Sequence, residues 1–274
     1  GYHKEPFVMY GKENDYYDQV IEAYLGSPTN SRCINGICDM IYGRGLNATD
    51  SEENMKGFME MKRLFNPHEI KNIVSDTKKL GQGTALVYYN KKRDRMLKVT
   101  HTPTECWRAA KADSTGVIKS YYYHPSWKDY QLNDKLKEVP TFGHGGKDDQ
   151  VEIYIFRPYR SGFYYYSPVD YHGCLPYCDL EEEVAEYHIS NIQNGLQPSM
   201  LINFNNGVPP EETQELIERK IIDKFSGASN AGRFILAFND DLDTSATVEP
   251  IHLPDAHAQY QFLADEAREK IMLG

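Results

Sequence analysis

The loop SGASNAG (226–232) has the small residues that cradle phosphate in many nucleotide-binding proteins. In such a site a strand leads into the glycine loop and a helix follows, so that free N–H groups at the helix start face the anion. Here a helical pattern (211–225) precedes the loop and a strand pattern (233–239) follows it. The loop therefore follows a helix C-terminus, whose carbonyl groups repel phosphate, and the sequence predicts a tight turn instead.

Two other features could hold a metal ion. Asp240, Asp241 and Asp243 could bind a hard cation, but the segment lacks the central glycine and the bidentate glutamate of a calcium loop. Four of the five cysteines form pairs with C-x4-C and C-x3-C spacing, and neither has the close C-x2-C spacing common in structural zinc sites. We therefore predict a solvated acidic loop, reduced thiols, no metal and no cofactor.

Catalytic motifs are the next feature to test. The nine histidines form no H-E-x-x-H motif, and the sequence has neither a G-x-S-x-G nucleophile elbow nor a G-K-[ST] phosphate motif. No acid, base and nucleophile occur together in a specific pattern. The sequence therefore predicts a protein that is not an enzyme.

Charge and hydropathy exclude two further classes. The formal net charge of −10 argues against a protein that wraps duplex DNA through a basic face. The longest apolar run, FILAF (234–238), is far shorter than the roughly 20 residues that a membrane-spanning helix needs. A chain of 274 residues is long enough for one large domain or two smaller ones.

The secondary-structure patterns change along the chain. Helical spacing with capping residues predicts helices at both ends, whereas 81–172 reads mostly as antiparallel strands rich in aromatic and β-branched residues. From 199 onward the order is strand, helix, strand, which is a β-α-β unit. The predicted fold class is α+β. The individual predictions are helices at 16–25, 27–43, 67–79, 179–195, 211–225 and from about 254, with strands at 83–90, 95–102, 116–124, 151–159, 199–205 and 233–239.

Tyrosine runs in the β-rich region have two interpretations. Segments such as YYYH and FYYYSP supply amphipathic rings that pack well on half-buried sheet faces. The same rings, with the loops at 121–127 and 161–172, could form a stacking platform for a sugar or base. A carbohydrate- or ligand-binding module that uses a tyrosine-rich sheet therefore stays open as an alternative function.

Two stretches together carry a family resemblance. Residues 16–46 (YYDQVIEAYLGSPTNSRCINGICDMIYGRGL) combine a helix, an SP dipeptide, a second helix and a G-x-G. Residues 187–238 combine a helix ending in NG, a short strand, PEE before a helix, and NAG before an apolar strand. In this order they resemble the portal proteins of tailed bacteriophages. The resemblance extends over nearly the whole chain, and 187–238 is its most specific part.

The resemblance implies a division of the chain. Residues 1–178 would form an α+β wing, 179–196 the first of two long stem helices, and 197–245 a small β-α-β clip. Portal proteins continue into a tunnel loop, further wing helices and often a crown. We therefore expect 246–274 to be a second stem helix that is truncated in this chain.

The resemblance also implies a function. Portals are non-enzymatic rings, usually of twelve subunits, at one capsid vertex of a phage or prophage particle, and DNA passes through them during packaging and ejection. The implied partners are other copies of the chain, the terminase large subunit, neck or adaptor proteins, capsid or scaffold proteins, and transiently held, non-sequence-specific double-stranded DNA. The implied location is the virion, and the host cytoplasm during assembly, with no membrane contact.

Three groups of residues are the candidate functional sites under this resemblance. An isolated β-α-β unit is too small to bury both of its faces, so the clip would need a neighbouring subunit. Acidic residues on a channel wall would repel the DNA backbone and keep it mobile. The clip turns and candidate docking residues are Gly207, Pro209, Pro210, Gly227, Asn230 and Gly232; the clip helix core is Ile217, Ile221 and Phe225; and the candidate channel-facing acids are Asp240, Asp241, Asp243, Asp265 and Glu269.

Overall fold

The computed structural model describes most of the chain and divides it into two compact units. The described residues are 5–132, 134–193, 199–204, 207–225, 234–239, 247–251 and 256–274. The first unit comprises Gly1–Asp179 with Glu269–Gly274, and the second comprises Leu180–Arg268. Helices α5 and α7 contribute residues to both units.

Four helices open the first unit, and side-chain caps fix where three of them begin. They are α1 (Tyr16–Gly26), α2 (Pro28–Tyr42), α3 (Met55–Leu64) and α4 (Pro67–Leu80). The side-chain oxygens of Ser27, Asn54 and Asn66 accept hydrogen bonds from first-turn N–H groups of α2, α3 and α4. Three of these helices confirm the sequence predictions, whereas α3 was not predicted.

Two three-stranded antiparallel sheets complete the first unit. The first sheet has the order β2-β1-β6, and the second has the order β3-β4-β5. The YYYH run (121–124) therefore belongs to antiparallel sheet, as predicted, whereas the FYYYSP run (163–168) lies in a loop outside the strands. The strands are β1 (Gly83–Tyr89), β2 (Met96–His101), β3 (Trp107–Ala109), β4 (Ser120–Tyr123), β5 (Lys137–Pro140) and β6 (Val151–Phe156).

Tyrosines make up much of the core of the first unit. Tyr10 and Tyr166 stack with their ring centroids 4.2 Å apart. Arg108 is buried beside them, and its guanidinium lies over the rings of Tyr17 and Trp127 at 5.1 and 4.9 Å. This packing agrees with the interpretation of the tyrosines as amphipathic core residues. The buried tyrosines are Tyr10, Tyr16, Tyr17, Tyr121, Tyr166 and Tyr171.

A buried carboxylate ties the loop after β5 to the first sheet. Glu152 of β6 is fully buried, and its Oε1 lies 2.7 Å from Nη2 of Arg93. The Tyr89 hydroxyl donates to the same carboxylate at 2.9 Å, and the Gly143 and Gly145 amides donate at 3.1 and 2.8 Å. Burial raises the pKa of Glu152, but the hydrogen bonds outweigh it and hold the pKa below its usual value. We call these five residues the Glu152 clamp.

The second unit has the predicted β-α-β order with one additional strand. Strands β7 (Ser199–Phe204) and β8 (Phe234–Phe238) pair in parallel, and helix α6 (Glu211–Phe225) lies between them in sequence. Strand β9 (Thr247–Ile251) pairs with β7 in antiparallel orientation. A strand therefore occupies the start of the segment 246–274, to which the resemblance assigned a stem helix. Alternating apolar residues are few in TVEPI, and this explains why the strand was not predicted.

Two long helices flank this strand-rich segment in sequence. Helix α5 spans Leu175–Gln193 and helix α7 spans Ala256–Leu273, close to the predicted helices at 179–195 and from about 254. Seven helices and three small sheets in the described residues confirm the α+β class.

Candidate interaction surfaces

Gly207 begins the turn that leads from β7 to α6. Its amide donates to the Asn239 carbonyl at 3.0 Å, and the Asn239 amide donates to the Phe204 carbonyl at 2.8 Å. The Asn239 side chain adds a bond to Oδ1 of Asn203 at 2.6 Å. Gly207 has a φ of +95°, a conformation that favours glycine. Asn239, which follows β8, therefore forms hydrogen bonds both with the end of β7 and with Gly207.

The two prolines of the turn set the start of α6. The Pro210 carbonyl accepts from the Thr213 amide at 2.8 Å, and the Pro209 carbonyl accepts from Nε2 of Gln214 at 2.8 Å. Two glutamates occupy the first turn of the helix, where negative charge is favourable. These contacts give Gly207, Pro209 and Pro210 a structural role. Their role in docking stays a prediction.

The predicted clip helix core is described in part. Ile217 and Ile221 are half-buried and lie one turn apart with Gln214 on one side of α6. The neighbouring apolar residue Leu216 is 57% exposed. The side chain of Phe225 lies outside the described residues. The packing of this helix core therefore stays a prediction.

Other predicted site residues fall outside the described part of the chain. The three remaining turn residues and the three acids of the loop after β8 belong to this group. The order of α6 before β8 agrees with the argument against phosphate binding. These residues are Gly227, Asn230, Gly232, Asp240, Asp241 and Asp243.

The two described channel candidates lie on α7. Asp265 and Glu269 are both exposed and four residues apart, so they share one face of the helix. Asp265 lies 3.4 Å from Nη1 of Arg268, an exposed ion pair within the same helix. Part of the acidic charge of this face is therefore balanced locally, and its position relative to a channel stays a prediction.

Aromatic side chains also line a cavity at the edge of the first sheet. It measures about 400 Å³, and Tyr121, Phe142, Tyr154 and Tyr164 are among its lining residues. Arg157 lies at the same cavity and donates from Nη1 to the carbonyls of Tyr164 and Tyr165 at 2.6 and 2.8 Å. Sequence reasoning identified these tyrosine runs as a platform, but it missed the contributions of Phe142, Tyr154 and Arg157.

Metal and membrane sites were also sought in the described residues. No group of three or more His, Cys, Asp or Glu side chains there could hold a metal ion. All five cysteines are free thiols, and burial raises the pKa of Cys106 to about 11. None of the helices in the described ranges is both long and apolar enough to cross a bilayer.

Comparison with known proteins gives matches at the level of structure. No protein-family model and no curated protein sequence matches the chain. The neck of a native gene transfer agent (GTA) particle, reconstructed with C12 symmetry, contains a chain that matches with a TM-score of 0.60 and 14% identity. The match covers 97% of this chain and 69% of that chain. A chain in the virion of a native GTA particle matches with a TM-score of 0.58 and 13% identity, over 94% of this chain and 67% of that chain.

A phage portal protein also overlaps with the chain. An HK97 family phage portal protein from Corynebacterium diphtheriae gives a TM-score of 0.39 and 11% identity, over 75% of this chain and 56% of that chain. This TM-score is too low for the likeness to carry weight. The chain therefore shares the α+β fold of a chain in the GTA particle neck, and this agrees at the level of the fold with the resemblance that its sequence implied.

Proposed function

We propose that the chain is a structural subunit of a ring at the capsid vertex of a tailed-phage or phage-like particle. DNA passes through the ring during packaging and ejection, and the chain has no catalytic role. The observation that carries the proposal is the match over 97% of the chain to a chain in a C12-symmetric particle neck. The match to a chain in a virion supports the same location.

The exposed surface of the second unit supports assembly with other copies. Four large apolar side chains in its described residues are more than half exposed. Side chains of this kind are available for contacts with partners. In a ring, these side chains pack against neighbouring subunits. They are Ile189, Val208, Leu216 and Phe262.

The docking and channel roles follow from the same proposal. The turn at Gly207–Pro210 belongs to the outer end of the clip, where the terminase large subunit and later a neck or adaptor protein dock. Asp265 and Glu269 face passing DNA and hold no phosphate contacts, so the duplex slides. Capsid or scaffold proteins surround the ring in the virion and, during assembly, in the host cytoplasm.

Electron microscopy combined with one pair of variants tests the proposal. We expect the protein expressed from its complete gene to form closed rings with a central hole. Leu216→Asp places a charge on an exposed apolar position of α6 and is expected to reduce the ring fraction at least about tenfold. Leu132→Asp changes an equally apolar side chain, 67% exposed in a loop of the first unit, and serves as the matched control.

The outcome of this comparison is decisive. Rings that are lost with Leu216→Asp and kept with Leu132→Asp support the proposed contact, provided that both variants retain the wild-type circular dichroism spectrum. Particles without a central hole, or a protein that stays monomeric at micromolar concentration, overturn the proposed function.

A further inference from the structure

Strand β6 lies at the edge of the first sheet, and only part of its outer side forms hydrogen bonds with another segment. In the order β2-β1-β6 it pairs with β1 on one side. The Tyr89 amide donates to the Gln150 carbonyl toward β1, whereas the Ile153 carbonyl accepts from the Phe142 amide on the other side. Because the direction alternates along an antiparallel strand, the amide and carbonyl of Ile155 also point away from β1.

Among the described residues, the outward amide and carbonyl of Ile155 have no hydrogen-bond partner. Within the described part of the chain, the segment that pairs with the outer side of β6 ends at Phe142, opposite Ile153. The edge beyond Ile153 faces the 400 Å³ cavity, which Ile155 itself lines. Gly116 and Tyr164 also line this cavity, and the Tyr164 hydroxyl donates a hydrogen bond to the Gly116 carbonyl. The outer edge of β6 at Ile155 therefore borders the 400 Å³ cavity.

A second cavity lies beside the same edge on the opposite face of the sheet. It measures about 440 Å³, and every lining side chain except that of Tyr154 is purely apolar. Phe142 and Tyr154 line both cavities, so the two cavities adjoin. Helix α4 packs over β1 and β2 through Ile73, and Phe156 of β6 is only partly buried against the same cluster.

Arg157 places a positive charge at the 400 Å³ cavity. Arg157 is exposed, and its Nη1 already donates to two carbonyls. No carboxylate in the described residues lies within ion-pair distance of its guanidinium, so Nη2 and Nε are available to a carboxylate that arrives from outside.

We propose that this edge binds an extended peptide segment of another protein as an added strand. The peptide backbone pairs with the amide and carbonyl of Ile155. Alternate apolar side chains of the peptide enter the 440 Å³ cavity, and an acidic side chain on its other face pairs with Arg157. The preferred ligand class is thus an extended peptide with two apolar residues at alternate positions and an adjoining carboxylate. A free edge flanked by apolar cavities is the arrangement in which strand addition occurs.

Peptide binding with a backbone-methylation scan tests this proposal. The probe is a fluorescein-labelled peptide, Thr-Val-Thr-Phe-Glu, titrated against the whole protein up to about 1 mM and followed by anisotropy. In an added strand, every second amide faces β6. We expect N-methylation of amides of one parity to weaken binding at least about tenfold, and methylation of the other parity to change it less than about twofold.

Charge variants provide the second arm. We expect replacement of the peptide glutamate with lysine to weaken binding about fivefold. We expect the same effect, about fivefold, from Arg157→Gln in the protein. Arg160→Gln is the matched control, because Arg160 is an exposed arginine three residues away, and it is expected to change the affinity less than about twofold.

Three outcomes overturn the proposal. The first is no binding of the probe up to the highest concentration. The second is binding that shows no difference between the two methylation parities. The third is loss of self-assembly with Tyr154→Asp, because this result would identify the occupant of the edge as a second copy of the chain.

Discussion

Arg93→Ala tests the Glu152 clamp, on which the packing of the first sheet depends. Arg93 is the only cation in contact with the buried Glu152 carboxylate in the described residues, at 2.7 Å. Its Nη1 also donates to the Gly146 carbonyl at 2.7 Å and so holds the loop after β5. Removing one partner of a buried ion pair costs about 3–5 kcal/mol, because the other charge stays buried without compensation.

The loss of stability expected from Arg93→Ala includes no change in backbone strain. Arg93 has a φ of +56°, a conformation that is unfavourable for Ala as well as Arg, so the substitution leaves the backbone contribution unchanged. Loss of about 3–5 kcal/mol in a unit of this size lowers the melting temperature by about 10 °C. Arg95→Ala is the control, because Arg95 is 60% exposed and lies 3.7 Å from Glu60, a surface pair worth at most about 1 kcal/mol.

Tryptophan fluorescence during urea unfolding is the assay. Both tryptophans, Trp107 and Trp127, lie in the first unit, so the signal reports on this unit alone. A double variant with Glu152→Gln removes the buried charge and is expected to recover at least about 1 kcal/mol relative to the sum of the single changes. An Arg93→Ala protein as stable as Arg95→Ala would refute the reasoning.

The same clamp predicts a pH dependence. The folded-state pKa of Glu152 lies below its usual 4.5, so its contribution to stability is present above that value and is lost as the pH falls through the folded pKa. The cost of Arg93→Ala should therefore shrink below about pH 4, where Glu152 is protonated in the variant. An equal cost at pH 3.5 and pH 7 would contradict this assignment.

Three further predictions follow. Asn66→Ala removes the side-chain acceptor of the His68 amide at the start of α4 and should cost about 1 kcal/mol by urea unfolding; no change would argue against the cap. Burial lowers the pKa of His101, but Asp76 at 2.7 Å outweighs it, so NMR should give a pKa above 6.5, and His101→Gln should cost more stability at pH 6 than at pH 9. Asp265→Lys with Glu269→Lys should increase duplex-DNA affinity in anisotropy measurements, with a steeper loss of affinity as salt rises, whereas unchanged affinity would remove these acids from the channel wall.

Much of the fold follows from local patterns in the sequence. Ser27 and Pro67 indicated helix starts in the sequence, because such signals require only a few neighbouring residues. Helix α3 was missed because its segment, MKGFMEMKRL, contains glycine and is dominated by exposed side chains. Strand β9 was missed because its pairing with β7, more than forty residues away, is a tertiary effect.

The candidate sites were less predictable than the fold. The turn at Gly207, Pro209 and Pro210 follows from residue types that favour turns. The open edge at Ile155 has no local signal, because it depends on where the pairing with Phe142 stops. Arg157 likewise becomes a candidate only once the tertiary structure shows that it forms no ion pair with a carboxylate of the described residues.

Electron microscopy of the protein expressed from its complete gene tests the central claim most directly. The account predicts closed rings with a central hole wide enough for duplex DNA and with cyclic symmetry, as in the C12 neck to which the fold is similar. A population made only of monomers, or of open aggregates without a central hole, would contradict it.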